Sequence, residues 1–457
     1  MTFPLSLEQD TVARNQGLRA LWVNLDVRIH GPLDLGCLSE AFARLVAHHD
    51  ALRLRFIRGP EGEVQELGPE QSRWDLEVVA LQDETELARE SVRFQLLELD
   101  LESGGPLRVQ VCRLSENDHV LFVKVHHLVM DRWAAVLFQQ QLWESYFALA
   151  EGRQPDLPAT TSVRELVAEQ QRAGSALTPG QRRYWAKTLD GVAPIALPLP
   201  GEAGHAPFLS NTAGTAFVSL PPDCTSNLAD MCAAAQVTPP ALISAAACAA
   251  LFAETGNHDL TVSVLWSGRE TRARRRLVGC LTRLIPVRLS IDQHSVFTET
   301  ARTMMRLITQ GVMYSKPPYA HRRMLLELAQ EGVKGARCAY ERWYGGDEAA
   351  GTELILNIAN LPNAGLPEAG TRSLTIDPYI ASPASWTAED RAQIDFGKLV
   401  VLAGVVSESV HVGSYFDPRY VSELAVTRIS GRFNEILLKC TEQNAGAAIA
   451  DLLAETS

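Results

Sequence analysis

The chain has no run of about 18 apolar residues, the length a single helix needs to cross hydrocarbon, so no membrane-spanning helix is expected. Met1-Thr2-Phe3-Pro4 lacks the charged and apolar regions of a secretory leader, which makes the expected location cytoplasmic. Positive charge is in deficit: 42 Lys and Arg stand against 54 Asp and Glu, a net charge of −12. Phosphate binding needs basic groups, so nucleic acid and anionic membrane are excluded as main partners. The eight cysteines (Cys37, Cys112, Cys224, Cys232, Cys248, Cys280, Cys338 and Cys440) are scattered, with no Cys-x-x-Cys pair. Buried reduced thiols are expected, rather than a disulfide framework or a zinc site. A Gly-x-Ser-x-Gly elbow, a P-loop, a dinucleotide fingerprint and paired metal-ligand spacing are also missing. Neither a covalent enzyme intermediate nor a bound cofactor or metal is therefore expected.

What is present is ordinary globular material. Of 457 residues, 46% are apolar and 21% charged, enough for two domains of roughly 200 residues, each with its own core. Alternation over residues 21–29 predicts a strand, Gly31-Pro32-Leu33-Asp34 a turn, and the spacing of Leu38, Phe42, Leu45, Val46 and His49 a helix to about residue 50. Strands follow at 52–56 and 120–125, and a helix from about Asp131 to Leu149. Tyr184-Trp185 opens a short helix, after which Pro194, Pro198, Pro200, Gly201, Gly204 and Pro207 break regular structure. The division expected is therefore a first lobe over 1–175, a linker over 176–215 and a second lobe over 216–457. In the second lobe, helices are predicted at 222–236 and 240–254 and strands at 260–265, 284–290, 353–359, 399–406 and 410–415. A closing helix covers about 418–440. β and α elements mix without a doubly wound repeat, so the class is α/β with mixed sheets.

One stretch stands out: Val125-His126-His127-Leu128-Val129-Met130-Asp131-Arg132-Trp133. There are 11 histidines in the whole chain, and two are adjacent here with Asp131 close behind. The pair lies where a strand runs into a helix, a place from which side chains can be aimed into a cleft. A carboxylate at Asp131 suits the unpaired N–H groups of a helix start. Two readings stay open on these residues alone: a cleft imidazole with a supporting carboxylate, or a buried histidine pair beside a helix cap.

Residues 126–132 resemble the His-His-x-x-x-Asp-Gly motif of nonribosomal peptide synthetase condensation domains. Leu5-Ser6-Leu7-Glu8-Gln9 is similar to that family's opening segment. His48-His49-Asp50-Ala51-Leu52-Arg53-Leu54-Arg55-Phe56 is similar to its Arg-His-Glu-Ala-Leu-Arg-Thr-Arg-Phe. Val278-Gly279-Cys280-Leu281-Thr282-Arg283-Leu284-Ile285-Pro286-Val287-Arg288 aligns without gaps to Ile-Gly-x-Phe-Val-Asn-Thr-Leu-Pro-Leu-Arg. Tyr415-Phe416-Asp417 resembles its last strand. Departures are Arg132 for the motif glycine, Leu281 for phenylalanine and Arg283 for asparagine. A further family segment, Asn-Pro-Leu-Phe-Gln, is not recognisable beyond Leu356-Asn357-Ile358-Ala359-Asn360.

The resemblance implies two chloramphenicol acetyltransferase-like lobes forming a V-shaped pseudodimer. It implies attack of an amine or alcohol on an acyl thioester carried by a phosphopantetheine arm, which is part of the donor substrate. His127 is then the base or positioning group and His126 packs behind it. Asp131 turns away from the cleft and pairs with an arginine of the other half, for which Arg288 is the candidate. Arg132 and Trp133 are placed at the substrate channel. Arg53 and Arg55 either line the cleft or are ordinary strand positions. The run Arg269, Arg272, Arg274, Arg275, Arg276 is read as a solvated helix face in preference to a carrier-docking patch. Expected partners are an acyl or peptidyl carrier protein and a small-molecule amine or alcohol, or a second carrier-bound acceptor, acting on a monomer. Because the motifs start at Leu5 and the closing helix ends near Ser457, a free-standing condensation enzyme is expected. The alternatives are a coenzyme A-dependent acyltransferase of the same superfamily, an epimerisation relative, or an inactive scaffold.

Overall fold

The computed structural model describes residues 2–14, 22–59, 62–70, 73–174, 176–193, 195, 197, 214–316, 318–344, 353–360, 366, 374–379, 399–406, 410–416, 421–442 and 446–454. The proline-rich part of the expected linker, including Pro194, Pro198, Pro200, Gly201, Gly204 and Pro207, lies outside them, as does Asp417.

In the first half, strand Asp118–His126 is the axis of a sheet. It pairs antiparallel with Leu107–Ser115 on one side and with Trp22–Asn24 and Val27–His30 on the other. Helices Leu35–His48 and Arg132–Ala150 pack on one face, and Glu84–Leu96 covers the other. Burial on both faces explains why Val120 to Val125 reads as an almost unbroken apolar run. The exception, Lys124, is 2% exposed. Its Nζ donates to the carbonyls of Gln95 and Leu97 at the end of helix Glu84–Leu96 and lies 3.8 Å over the Trp22 ring. A cation suits the unpaired carbonyls of a helix C-terminus.

The single strand expected over 21–29 is two. Leu25-Asp26 interrupts the ladder because the buried Asp26 carboxylate accepts the Val123 N–H at 3.0 Å, replacing a backbone partner. Burial pushes that carboxyl up to about 7.

The second half is built on a six-stranded mixed sheet in the order 283–290, 259–266, 353–360, 399–406, 410–416, 214–219. Helix Pro239–Thr255 is apolar on every side and lies buried between this sheet and helices Phe297–Tyr314 and Glu423–Glu442. No single helix among the described residues is long and apolar enough to cross a membrane. Ser226–Ala235 and Pro239–Thr255 pass such a test only together, across a 95° bend, and their burial in the core accounts for their composition.

Two findings change the expected division of the chain. Residues 179–189, placed in the linker, form a helix whose Trp185 and Leu189 are fully buried in the second core. Strand Thr375–Pro378, from the second half of the sequence, pairs antiparallel with Val27–His30 of the first sheet. Leu277, Val278, Cys280 and Leu281 likewise belong to the first core. The halves therefore interpenetrate beside the histidine turn.

Candidate active site

The site is assembled from two strand ends. His126 is the last ladder residue of its strand, and its N–H donates to the Pro106 carbonyl at 2.8 Å. The chain then turns, with the Val129 N–H donating to the His126 carbonyl at 3.1 Å. The His126 ring stays buried and its Nδ1 accepts the Leu128 N–H at 3.1 Å, so His126 stiffens the turn that presents His127. From below, Gln9 donates through Nε2 to the Leu128 carbonyl at 3.1 Å and to Gln65 Oε1 at 3.0 Å. The opening Leu-Ser-x-x-Gln segment is thus a brace under the histidine turn. The second motif braces as well: Asp50 accepts the Val163 N–H, His49 Nε2 lies 2.6 Å from Gln141 Oε1, and Arg53 donates to the carbonyls of Val46 and Gly68.

Asp131 caps helix Arg132–Ala150, accepting the Ala134 N–H at 2.9 Å through Oδ1. The same oxygen accepts Arg269 Nη2 at 2.8 Å, and Oδ2 accepts the Leu281 N–H at 2.9 Å. Arg269 in turn donates to the carbonyls of Arg274, Leu277 and Gly279 at 2.6, 2.7 and 3.0 Å. The two side chains are 1% and 2% exposed. This arrangement corrects two expectations. Arg288 is not Asp131's partner; it pairs with Asp259 on the neighbouring strand, at 30% and 45% side-chain exposure. Nor is the basic run a solvated helix face: Arg269 and Arg274 are buried, and only Arg272–Arg275 form a single helical turn.

Arg269 reaches Asp131 because Gly268 turns the chain with a φ of +65°, hard against the Leu281 carbonyl. A Cβ there would lie 2.2 Å from that oxygen, so only glycine fits. Trp133 is 38% exposed and its Nε1 donates to the Arg275 carbonyl at 3.0 Å, so it ties the first helical turn to the Arg269 loop. Arg132 is exposed beside it. Arg283 pairs through Nε with the buried Glu8 at 2.8 Å, and lies 3.5 Å from Glu270.

His127 remains half-buried at this seam. Its Nδ1 lies 3.7 Å from the Cys280 sulfur, contributed by the other half of the sequence. Burial lowers its pKa below the ordinary 6.5, against smaller raising effects from its own backbone hydrogen bond and the Asp131 charge. Both Asp131 oxygens are committed elsewhere, so the arrangement is not a triad. It is an imidazole whose Nδ1 faces a sulfur and whose lowered pKa favours the neutral ring, a form that can accept a proton. Cys280 fell at a variable position of its motif and carried no signal of its own. Arg269 carried a faint one, an arginine directly after a glycine at a strand end.

A family model for the condensation domain matches residues 15–333, and the chain belongs to the condensation-domain family. Cyclosporin synthetase from Tolypocladium inflatum is 26% identical over 296 residues, which is 61% of this chain and 2% of that protein. Phosphinothricin tripeptide synthetase PhsB from Streptomyces viridochromogenes is 27% identical over 341 residues, 72% of this chain and 28% of that protein. The chain thus spans only a small part of the curated relatives it matches. Among solved structures, the first condensation domain of the calcium-dependent antibiotic synthetase, in complex with a substrate analogue, superposes with a TM-score of 0.74 at 20% identity. The match covers 99% of each chain. The fold is accordingly the chloramphenicol acetyltransferase-like V of two related lobes.

Asp131→Ala and Arg269→Ala are each expected to cost about 3–5 kcal/mol, the scale for stranding one member of a buried ion pair. Arg288→Ala should stay within about 1 kcal/mol, because its pair with Asp259 is solvent-screened. Urea midpoints of the three variants check this; equal midpoints for Arg269→Ala and Arg288→Ala would contradict it.

Proposed function

We propose that the chain catalyses transfer of an acyl or aminoacyl group from a carrier-bound phosphopantetheine thioester to an amine or alcohol, forming an amide or ester. The observation that carries this reading is the place of the His127 imidazole at the seam of the halves, with Nδ1 3.7 Å from the Cys280 sulfur and both oxygens of the nearby Asp131 carboxylate engaged by other donors. Burial, which lowers the ring's pKa, favours its neutral form. In the step proposed, the nucleophile's nitrogen or oxygen bonds to the thioester carbon as His127 Nε2 takes its proton. The carbon–sulfur bond then breaks and the departing thiolate recovers that proton. An acceptor Nε2 requires the proton on Nδ1, the nitrogen that faces Cys280. The donor partner proposed is an acyl or peptidyl carrier protein; the acceptor is a small molecule or a second carrier-bound group. The same chemistry on a coenzyme A thioester is the competing reading, and comparing the two donors separates them.

His127→Ala should lower turnover with the carrier-bound donor by roughly 10² or more while leaving the fold intact. In the wild type, the acid limb of kcat/KM should fall below the ordinary histidine value of 6.5, because the neutral ring is the active form and burial extends its range to lower pH. Rapid-quench turnover across pH with both donors checks the two statements together. Undiminished single-turnover chemistry in His127→Ala would remove the base assignment.

Arg132, where the family motif has glycine, is proposed to shape entry to the site without taking part in chemistry. Its exposure on the first turn of helix Arg132–Ala150 supports this, since long charged side chains keep their heads in water. Arg132→Gly should retain at least about a tenth of the native rate, a barrier change within about 1.4 kcal/mol, and accept a broader set of substrates. A folded variant without turnover would place the arginine in the catalytic machinery.

A further inference from the structure

We infer that Cys280 is a positioning residue for His127: clamped by the Asp131–Arg269 pair, its sulfur supports the imidazole at Nδ1, beside the ring's hydrogen bond to its own backbone, and so helps direct Nε2 to the substrates. The inference rests on reading His127 as the reacting imidazole.

The clamp acts on both sides of the cysteine. Immediately before it, the Gly279 carbonyl accepts Arg269 Nη2 at 3.0 Å; immediately after it, the Leu281 N–H donates to Asp131 Oδ2 at 2.9 Å. One buried ion pair therefore sets the backbone of residues 279–281, and with it the point at which the sulfur meets the ring. The contact is 3.7 Å, within the range of a sulfur hydrogen bond, and it crosses from one half of the sequence to the other. Cys280 is 3% exposed. Burial, with Asp131 and Glu8 nearby, pushes its thiol well above the ordinary range, so the sulfur stays protonated. A neutral thiol is a poor nucleophile; its use here is as a weak, uncharged partner for a ring nitrogen. The contrast is Cys248, equally buried but within an alanine-rich helix of the second core, where a thiol only fills space.

A ring held at one nitrogen loses its freedom to rotate away from the reacting atoms. The identity of the partner also biases which nitrogen carries the proton. Asp131 is then linked to the chemistry at one remove, through the backbone it holds and the thiol that backbone carries.

The test uses the intact protein with isotope-labelled histidine. The His127 ring signals are assigned by their absence in His127→Ala and titrated in wild type, Cys280→Ala and Cys280→Ser. Kinetics with an acyl-pantetheinyl carrier run in parallel. In Cys280→Ala, water beside Nδ1 should raise the His127 pKa toward its ordinary value, moving the acid limb of the rate profile to higher pH. Its kcat should fall roughly tenfold, less than loss of the imidazole itself, with KM unchanged. Cys280→Ser, whose hydroxyl replaces the thiol as partner, should restore most of kcat while shifting the Nδ1 signal; it carries the test if the alanine variant does not fold. His127 signals and pKa unchanged in the folded variants would overturn the inference. A moved pKa in a protein that turns over neither donor would support the contact and overturn the condensation reading instead.

Discussion

The ion pair between Asp131 and Arg269 is the constraint on which the site depends. Removing two charges from water costs several kcal/mol each, recovered only where geometry and further hydrogen bonds are good. Here they are: the carboxylate accepts two backbone N–H groups besides the guanidinium, and the guanidinium donates to three carbonyls besides the carboxylate. The same atoms cap a helix of the first half, close a loop of the second and pin the segment that touches His127. An apolar pair of equal volume would fill the space, but it would not specify that register.

A second charged chain lies nearby. Gln170 donates to Glu8, Glu8 pairs with Arg283, Arg283 faces Glu270, and Arg274 bridges Glu270 and Glu169. The network crosses between the two halves of the sequence twice, at Glu8–Arg283 and at Arg274–Glu169, so a polar seam holds them together where apolar packing alone would let them slide. Arg283, which stands where the condensation family has asparagine, is accommodated because two acidic side chains meet it. With Asp131 and Glu8 both occupied in bracing, His127 lies at the seam with Cys280 as its neighbour from the other half. A fold of this kind can hold different activities, and the acyl transfer proposed for this chain rests on the His127 ring and not on the fold.

Much of the fold was legible because periodicity reports burial. Strand Asp118–His126, helix Arg132–Ala150 and helix Pro239–Thr255 fall within a residue or two of their expected limits. What stayed hidden depends on contacts distant in sequence. Strand Thr375–Pro378 carries too short a pattern to reveal that it joins the first sheet. The break at Asp26 comes from one carboxylate reaching Val123 across the ladder. The choice of Arg288 followed its place in a linear motif, but its strand aims it at Asp259. The arginine that meets Asp131 sits in a loop whose path is set by the positive φ of Gly268. Reading the basic run as a helix face failed for the same reason: proximity in sequence said nothing of the carbonyls that enclose Arg269.

One ion pair is proposed both to stabilise the chain and to position the His127 imidazole. A double-mutant cycle on Asp131 and Arg269, read in urea midpoints and in kcat on the same preparations, tests it most directly. The account predicts a coupling free energy of about 1–3 kcal/mol in both readouts, with the double variant far less impaired than the sum of the single ones. Additive effects in stability, or coupling in stability with an undiminished kcat, would contradict it.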